Sequence, residues 1–417
     1  MRPSAPVLLL VAWASSLPAQ IPSSLGTSAG LSGTAVTEAR RADAVLWNPA
    51  LVGVYDGPER STSLLGFDAA ILPGGDGFDA AARLGLVSGR VEEGRFGFLT
   101  RPMFWGSGTP EAAAQVRWGA VQSRDLAVTL DTRFAASAEV PEELAGELGV
   151  RGVPREVWED RPASRSLSSV LTVARGAYLG EFPVLGRAWA GAGVKGWWVH
   201  EFAAGRFQAD LPAAEVYRET SLGKVGGLGV DAGVAGLAGG RLWYGLSVSN
   251  LYATSFRPGR APRTRTVEAA AAADGGVELR QTLGPEIRDD DPDADAVARA
   301  GTLWNDTRFP AVLRAGLAWE GRWGTVAAAV SERLDGGGLD PAGVEPRRSL
   351  AWHDAARRFR VSYGWGDDRS VIAAAVSAGR CDRRWTAGLR RTSDAGLGLV
   401  LDLSLSDWSC NLHGQGR

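Results

Sequence analysis

Hydrophobic and polar residues alternate along most of the chain after about residue 60, and this period-two pattern is typical of β-strands. In residues 397–406, leucine occupies every odd position, and Gly, Val, Asp or Ser occupies every even one. Residues 126–134, 311–319 and 358–365 repeat the alternation, with Arg or Asp opposite the large apolar side chains. Short clusters of Gly, Asp, Asn and Ser separate many of the runs and suit hairpin turns. The pattern therefore predicts an all-β chain built from antiparallel hairpins.

The length of these runs distinguishes between two kinds of all-β protein. Strands of soluble sheets average about 5–6 residues, whereas many runs here reach the roughly 9–11 residues that a tilted membrane strand needs. Aromatic residues also lie near run ends, at Trp319, Trp323, Trp365 and Trp408, which is typical of an interfacial girdle. We predict an antiparallel transmembrane β-barrel of about 14 strands over residues 59–408, with a C-terminal tail at 409–417. A soluble exported β protein is the alternative.

In such a barrel the polar face of each strand points into the lumen. The polar residues expected to face the lumen are Asp131, Arg133, Arg314, Arg358, Arg360 and Asp402. Weaker alternating segments, among them 80–90 and 94–104, are expected to add further strands.

The first 19 residues carry the pattern of a removed export signal. Arg2 is followed by an apolar run from Val7 to Ala14, and cleavage is expected after Ala19. The run is far shorter than the roughly 20 residues that span a bilayer as a helix. An exported barrel is expected in the bacterial outer membrane, in contact with membrane lipid and lipopolysaccharide.

Composition and short motifs give no sign of catalysis. The formal net charge of -2 argues against a nucleic-acid partner. Residues 26–30 match the hydrolase elbow G-x-S-x-G but lack a preceding strand. Residues 191–196 match G-x-G-x-x-G, yet an aromatic β-type run follows instead of the required helix. The 3 His residues lack metal-ligand spacing, so we expect no enzyme activity, no catalytic residue, no metal and no cofactor.

Three features fall outside the strand pattern. Residues 139–165 are charged and contain proline, which predicts a long loop. The aspartates of residues 289–295 lack the glycine and terminal glutamate of a calcium-binding EF-hand, and a solvated acidic loop is favoured over a calcium site. Cys381 and Cys410 fall at the same end of the sheet if the last three strands form a meander. A disulfide and two unpaired thiols both remain open.

The segment at residues 20–58 precedes the predicted barrel and contains ADAVLWNPAL at residues 42–51. Pro49 lacks a backbone N–H and disfavours helix at Asn48. Asparagine can bond its own backbone in a turn. Residues 37–46 are therefore expected to form a short helix that ends in a turn at Asn48.

The same segment resembles the Asn-Pro-Ala signature near the mature N-terminus of the FadL-type outer-membrane transporters and of the related PorV and PorQ barrels. The matching residues are Ala42, Asp43, Ala44, Trp47, Asn48, Pro49 and Ala50. Residues 226–237, 244–253 and 309–321 are similar to strands of the PorV-like branch, the second of them to a strand that ends in Asn-Leu.

The resemblance implies that residues 20–58 form a plug or hatch, whose motif residues are Asp43, Trp47, Asn48, Pro49 and Ala50. A FadL-type barrel would passively transport hydrophobic small molecules past this hatch. A PorV-like barrel would instead be a scaffold or shuttle for secreted proteins. Whether the plug is fixed or moves is open, and resemblance to a superfamily does not transfer a substrate.

Overall fold

The computed structural model describes the chain in separate ranges. These are residues 31–54, 60–72, 111–138, 161–207, 215–223, 225–256, 262–271, 277–288, 297–298, 300–301, 307–334, 347–366, 369–380, 383–392 and 397–406. The predicted export signal, the predicted strands at 80–90 and 94–104, the acidic loop at 289–295, Cys381 and Cys410 all lie outside the described residues. They remain predictions.

Strands account for most of the described chain. They are β1 (Arg60–Leu72), β2 (Glu111–Ser123), β3 (Leu126–Ala138), β4 (Arg161–Phe182), β5 (Gly186–Phe207), β6 (Glu215–Leu222), β7 (Val225–Ala238), β8 (Leu242–Phe256), β9 (Arg263–Ala271), β10 (Val277–Glu286), β11 (Val312–Gly321), β12 (Gly324–Arg333), β13 (Arg348–His353), β14 (Phe359–Gly366), β15 (Arg369–Arg380), β16 (Arg383–Thr392) and β17 (Leu397–Ser406). β4 begins at Arg161, so the loop predicted at 139–165 ends earlier than expected.

Neighbouring strands pair antiparallel, and the pairs form a ring. β1 pairs with β2 on one side and with β17 on the other. Among the described strands the ring runs β1 to β5, β7, β8 and β11 to β17, which makes fourteen. β6, β9 and β10 form a side extension that joins β5 at Phe202–Arg206. The predicted fold class, an all-β antiparallel barrel, is confirmed.

Apolar side chains point outward along the ring and polar ones point inward. In β14, Phe359, Val361 and Tyr363 are exposed, whereas Arg360 and Ser362 are buried. A water-soluble domain would bury the apolar face instead. The outward apolar band continues around the ring at Leu130, Val173, Val194, Val234, Leu317, Val326, Ile372 and Leu389. An outer surface of this composition suits contact with lipid.

One end of the barrel, which we call the short-turn end, carries short connections. These are residues 124–125, 183–185, 239–241, 322–323 and 354–358. In the β7–β8 turn, Gly239 and Gly240 have φ values of 56° and 69°. Tight hairpin turns require such backbone angles, which glycine adopts without a steric penalty.

Residues 31–54, which we call the N-terminal segment, are helical and irregular. They contain α1 (Ala35–Glu38), α2 (Ala44–Trp47) and single 3-10 turns at Ser32–Thr34, Arg41–Asp43 and Pro49–Gly53. The single helix expected over 37–46 is wrong, because the backbone leaves the helical region at Ala39 (φ -59°, ψ 141°). Helices this short are not stable alone, so contacts with the barrel decide their bounds. Among the described residues, no helix has the length and apolar character needed to cross a membrane.

Candidate functional site

The N-terminal segment lies across the inside of the barrel. It contacts β1 to β5, β7, β8 and β11 to β14, which make up most of the ring. α1 contacts β8, β11 and β12, while the turn at Pro49–Gly53 contacts β3, β4, β5 and β7. Ala35, Val36, Ala44, Ala50, Leu51 and Val52 have essentially no exposed surface. The segment therefore occupies much of the lumen at its own level.

Asn48 fixes the turn that the sequence predicts. Its Oδ1 accepts a hydrogen bond from the Ala50 backbone N–H at 3.1 Å, which caps the Pro49–Gly53 turn. Its Nδ2 donates to the carbonyl oxygens of Val36 at 3.2 Å and Val234 at 3.0 Å. The side chain thus joins two parts of the N-terminal segment to each other and to β7. Pro49 occupies the first helical position, where its missing N–H is not needed.

Trp47 is 1% exposed and lies against the inner wall. Its carbonyl oxygen accepts a hydrogen bond from the Ser247 hydroxyl of β8 at 2.7 Å. The Arg314 guanidinium lies 5.6 Å from the centre of its ring, within the range of a cation–π interaction. Arg314 also donates to the Ser249 hydroxyl at 2.7 Å.

A row of five glycines lines the wall where the N-terminal segment approaches it. We call Gly176, Gly191, Gly233, Gly245 and Gly316 the glycine row. They occupy five successive strands of the ring, and Gly176 pairs with Gly191, Gly191 with Gly233, and Gly245 with Gly316. A Cβ on Gly176 would lie 2.8 Å from the Ala50 carbonyl oxygen, and one on Gly245 would lie 2.6 Å from that of Val36. The backbones can approach this closely only because the wall has no side chains there.

Asp43 joins the N-terminal segment to the opposite wall through Arg117 of β2. Arg117 forms ion pairs with Asp43 and with Asp131 of β3, the latter at 3.1 Å. Arg117 and Asp131 have no exposed side-chain surface. A buried charge is costly unless it is paired. The charge of Arg117 therefore stabilises those of Asp43 and Asp131, and they stabilise it in return.

Glu38, at the end of α1, binds the short-turn end of the barrel. Its Oε2 lies 2.7 Å from Nε2 of His353 and 3.4 Å from Nη2 of Arg357. Burial alone would raise the pKa of the Glu38 carboxyl. The hydrogen bond from His353 and the charges of Arg357 and Arg40 outweigh burial and lower that pKa to about 2. The carboxylate therefore stays charged although it is fully buried.

A second polar layer lies farther from the short-turn end. Lys195 of β5 pairs with Asp231 of β7 at 2.9 Å. Asn250 of β8 has a φ of 55°, and its backbone N–H donates to Asp231 at 2.7 Å. The register of β7 against β8 shifts at Asp231. β8 contains the Asn-Leu pair and continues past it to Phe256. This layer gives the lumen charged walls above the N-terminal segment.

The residues predicted to face the lumen differ in how deeply they are buried and in where they lie along their strands. Asp131, Arg314 and Arg360 are buried, and Arg133 is half-buried with its guanidinium 5.4 Å from the Phe309 ring centre. Arg358 is exposed and lies in the turn before β14, one residue before the strand begins, and its lumen position remains a prediction. Asp402 lies in β17, paired with Gly66 and Thr386, but its side chain is not described.

The structure joins predicted residues through partners that the sequence did not indicate. Arg117 connects Asp43 to Asp131, and Arg314 meets Trp47, whereas Arg360 bonds Ser377 away from these contacts. Glu38 and His353, 315 residues apart, gave no sequence signal because neither belongs to a local motif. The alternation of polar and apolar residues in β2 and β7 could have identified Arg117 and Asp231 as further residues that face the lumen.

Motifs that resembled enzyme sites have structural explanations where they are described. The G-x-G-x-x-G of residues 191–196 lies within β5, and strand residues follow it. The G-x-S-x-G at 26–30 lies outside the described residues. In the part of the chain that the structure describes, His, Cys, Asp and Glu form no group of three that could hold a metal ion.

Comparisons with known proteins found similar solved structures but no family or curated match. No protein-family model matches the chain, and no curated protein matches it. The chain is similar to the toluene transporter TodX of Pseudomonas putida at 12% identity and a TM-score of 0.48, over 93% of this chain and 99% of that one. It is similar to a Pseudomonas aeruginosa FadL homologue at 12% identity and a TM-score of 0.44, over 94% and 99%. It is also similar to the translocator domain of the autotransporter NalP from Neisseria meningitidis, at 10% identity, a TM-score of 0.33, and 84% and 89% coverage.

The chain is an antiparallel β-barrel. The ring of strand pairs establishes this architecture, and the N-terminal segment occupies the lumen near the short-turn end.

Proposed function

We propose that the protein is an outer-membrane β-barrel that passively transports hydrophobic small molecules, with the N-terminal segment as its plug. The observation that carries the proposal is the position of the N-terminal segment, which occupies much of the lumen and contains the Asn-Pro-Ala motif at its contact with β7. The apolar outer surface of the ring supports a place in the membrane. Bacterial barrels carry their short turns on the periplasmic side, so the plug would close the periplasmic end.

Transport would require the plug to move. The turn at Asn48 and Pro49 is the hinge of the proposed movement, because Asn48 alone joins Val36, Ala50 and Val234. Breaking the bond to Val234 would remove the hydrogen bond between the segment and β7 without disturbing the strand pairs of the ring. A hydrophobic solute would then pass along or out of the barrel wall. Membrane lipid and lipopolysaccharide would surround the barrel.

The experiment measures uptake of a hydrophobic tracer into cells that express the protein or its Asn48→Ala/Pro49→Ala variant. The variant should change the uptake rate, since it removes the cap and the link to β7. Unchanged uptake by a variant that fractionates with the membrane and retains heat-modifiable gel mobility would remove the gating role of the turn. A protein that stays in the soluble fraction would contradict the membrane location.

A second function, a PorV-like scaffold or shuttle for secreted proteins, is favoured by one observation. The lumen wall carries the buried charges of Arg117, Lys195, Asp231 and Arg314, which a conduit for apolar solutes does not need. Co-purification of exported proteins with the barrel would support this function. Retention of a hydrophobic ligand in the purified lumen would support transport instead.

A further inference from the structure

His353, the last residue of β13, faces a hydrogen-bond acceptor at each ring nitrogen. Its Nε2 lies 2.7 Å from Oε2 of Glu38, and its Nδ1 lies 2.9 Å from the carbonyl oxygen of Asp354. A carboxylate and a carbonyl can only accept, so only a doubly protonated imidazolium can donate to both. The neutral ring can donate to only one of these two acceptors.

The charged groups around this contact come from both the N-terminal segment and the barrel. Arg357, in the β13–β14 turn, donates to the Glu38 carbonyl oxygen at 3.1 Å and to its carboxylate at 3.4 Å. Arg40 adds a positive charge near Glu38. Arg360 pairs with His353 across the strands and donates to the Arg357 carbonyl oxygen, and the Asp354 carboxylate accepts from the Phe359 N–H. Glu38 therefore lies among several basic groups, and histidine is the residue type among them whose ordinary charge change falls between about pH 5 and 8.

We propose that Glu38, His353 and Arg357 form a protonation-dependent latch, which holds the N-terminal segment across the short-turn end and loosens as the pH rises. This inference rests on the proposed plug and adds its regulation. Glu38 is the last residue of α1, and the chain leaves the helix at Ala39. Loss of the latch therefore detaches the C-terminal end of α1 from the barrel wall. Asn48 and Asp43 hold other parts of the segment without a histidine.

The direction of the pH effect follows from the group that gains a partner. A histidine that is bound in its cationic form stabilises the docked state at low pH, and this contribution is lost when the proton leaves. The docked state should therefore be firm in mildly acidic solution and weaker in mildly alkaline solution. Arg357 keeps its charge throughout and retains part of the contact, so the latch loosens and does not reverse.

The test measures ion conductance of the purified full-length protein in planar lipid bilayers at about pH 5 and about pH 8, the range in which histidine changes charge. Conductance reports an open lumen and needs no knowledge of the solute. The open probability should rise by about tenfold from the lower to the higher pH, the change that loss of one hydrogen bond to a charged group supports. The His353→Gln variant cannot titrate, so its open probability should be the same at both values.

Two further variants make the outcome decisive. His200 is exposed on the outer face and bonds Ser169, so His200→Gln should retain the full pH response. Glu38→Gln should raise conductance at both pH values, and heat-modifiable mobility shows whether its barrel is folded. A pH response that persists in His353→Gln, or its absence in the unmodified protein, overturns the latch. A pH-dependent conductance without uptake of a hydrophobic tracer would instead leave the latch standing and remove the transport proposal.

Discussion

The Nδ2 atom of Asn48 lies 3.0 Å from the carbonyl oxygen of Val234, across 186 residues of sequence. This contact places the Asn-Pro-Ala motif directly on the barrel wall. The same amide also donates to the Val36 carbonyl oxygen and accepts from the Ala50 backbone N–H. One side chain therefore joins both halves of the N-terminal segment to β7.

Replacing Asn48 with Ala should loosen the N-terminal segment. The variant loses three hydrogen bonds, each worth about 1 kcal/mol, while the strand pairs of the ring stay intact. Limited proteolysis of the purified barrel should cleave residues 31–54 of Asn48→Ala faster than those of the unmodified protein. Ser169→Ala, which removes two hydrogen bonds on the outer face, should not change the cleavage rate. Equal rates for all three proteins would contradict a docking role for Asn48.

The glycine row should tolerate no side chain where the N-terminal segment meets it. A Cβ on Gly191 would overlap the Pro49–Ala50 peptide, whereas a Cβ on Gly196 of the same strand would make only an ordinary contact, 3.8 Å from Leu228. Gly191→Ala should therefore displace the segment and raise ion conductance in lipid bilayers. Gly196→Ala is the matched control and should conduct like the unmodified protein. A closed Gly191→Ala barrel would show that the close approach is not needed for docking.

Arg117 should contribute more to stability than an arginine at the barrel rim. Its removal takes away the guanidinium that pairs with both Asp43 and Asp131, and breaking a buried ion pair costs about 3–5 kcal/mol. Urea unfolding in detergent, followed by gel mobility, should give Arg117→Met a lower midpoint than the unmodified protein. Arg358→Met changes an exposed turn residue and should leave the midpoint nearly unchanged. Similar midpoints for the two variants would contradict the buried ion-pair network.

The sequence predicts the barrel well because period-two alternation is local. Any strand that separates lipid from a polar lumen must alternate, so the faces of β3, β11 and β14 could be assigned from their residues alone. Arg358 shows the limit of the method: alternation gives the face of a residue, but strand ends depend on turns that the pattern does not specify. The single helix predicted at 37–46 was wrong for a related reason, since wall contacts decide the path of so short a segment.

The candidate site could be predicted only in part. Asn48 and Pro49 carry a local signal, because proline and asparagine restrict the backbone wherever they occur. The glycine row could not be distinguished among 55 glycines, since its meaning depends on strand register. Glu38 and His353 meet only because the N-terminal segment folds back to β13, and no local pattern records such a contact.

Acid should release the N-terminal segment only well below the usual range for a carboxyl group. The pKa of Glu38 is lowered from 4.5 to about 2 in the folded protein. The charged form therefore stabilises docking fully above about pH 4.5, and this contribution, roughly 3 kcal/mol, is lost as the pH falls toward 2. In the unmodified protein, protection of residues 31–54 from an acid-active protease should persist at about pH 4 and decline toward about pH 2.

Glu38→Gln should be less protected at pH 4 and should change less on further acidification. Asp43→Asn serves as the control for the other buried carboxylate of the segment and should keep the Glu38-dependent decline. If Glu38→Gln and the unmodified protein lose protection along the same curve, the docking does not depend on the charge of Glu38.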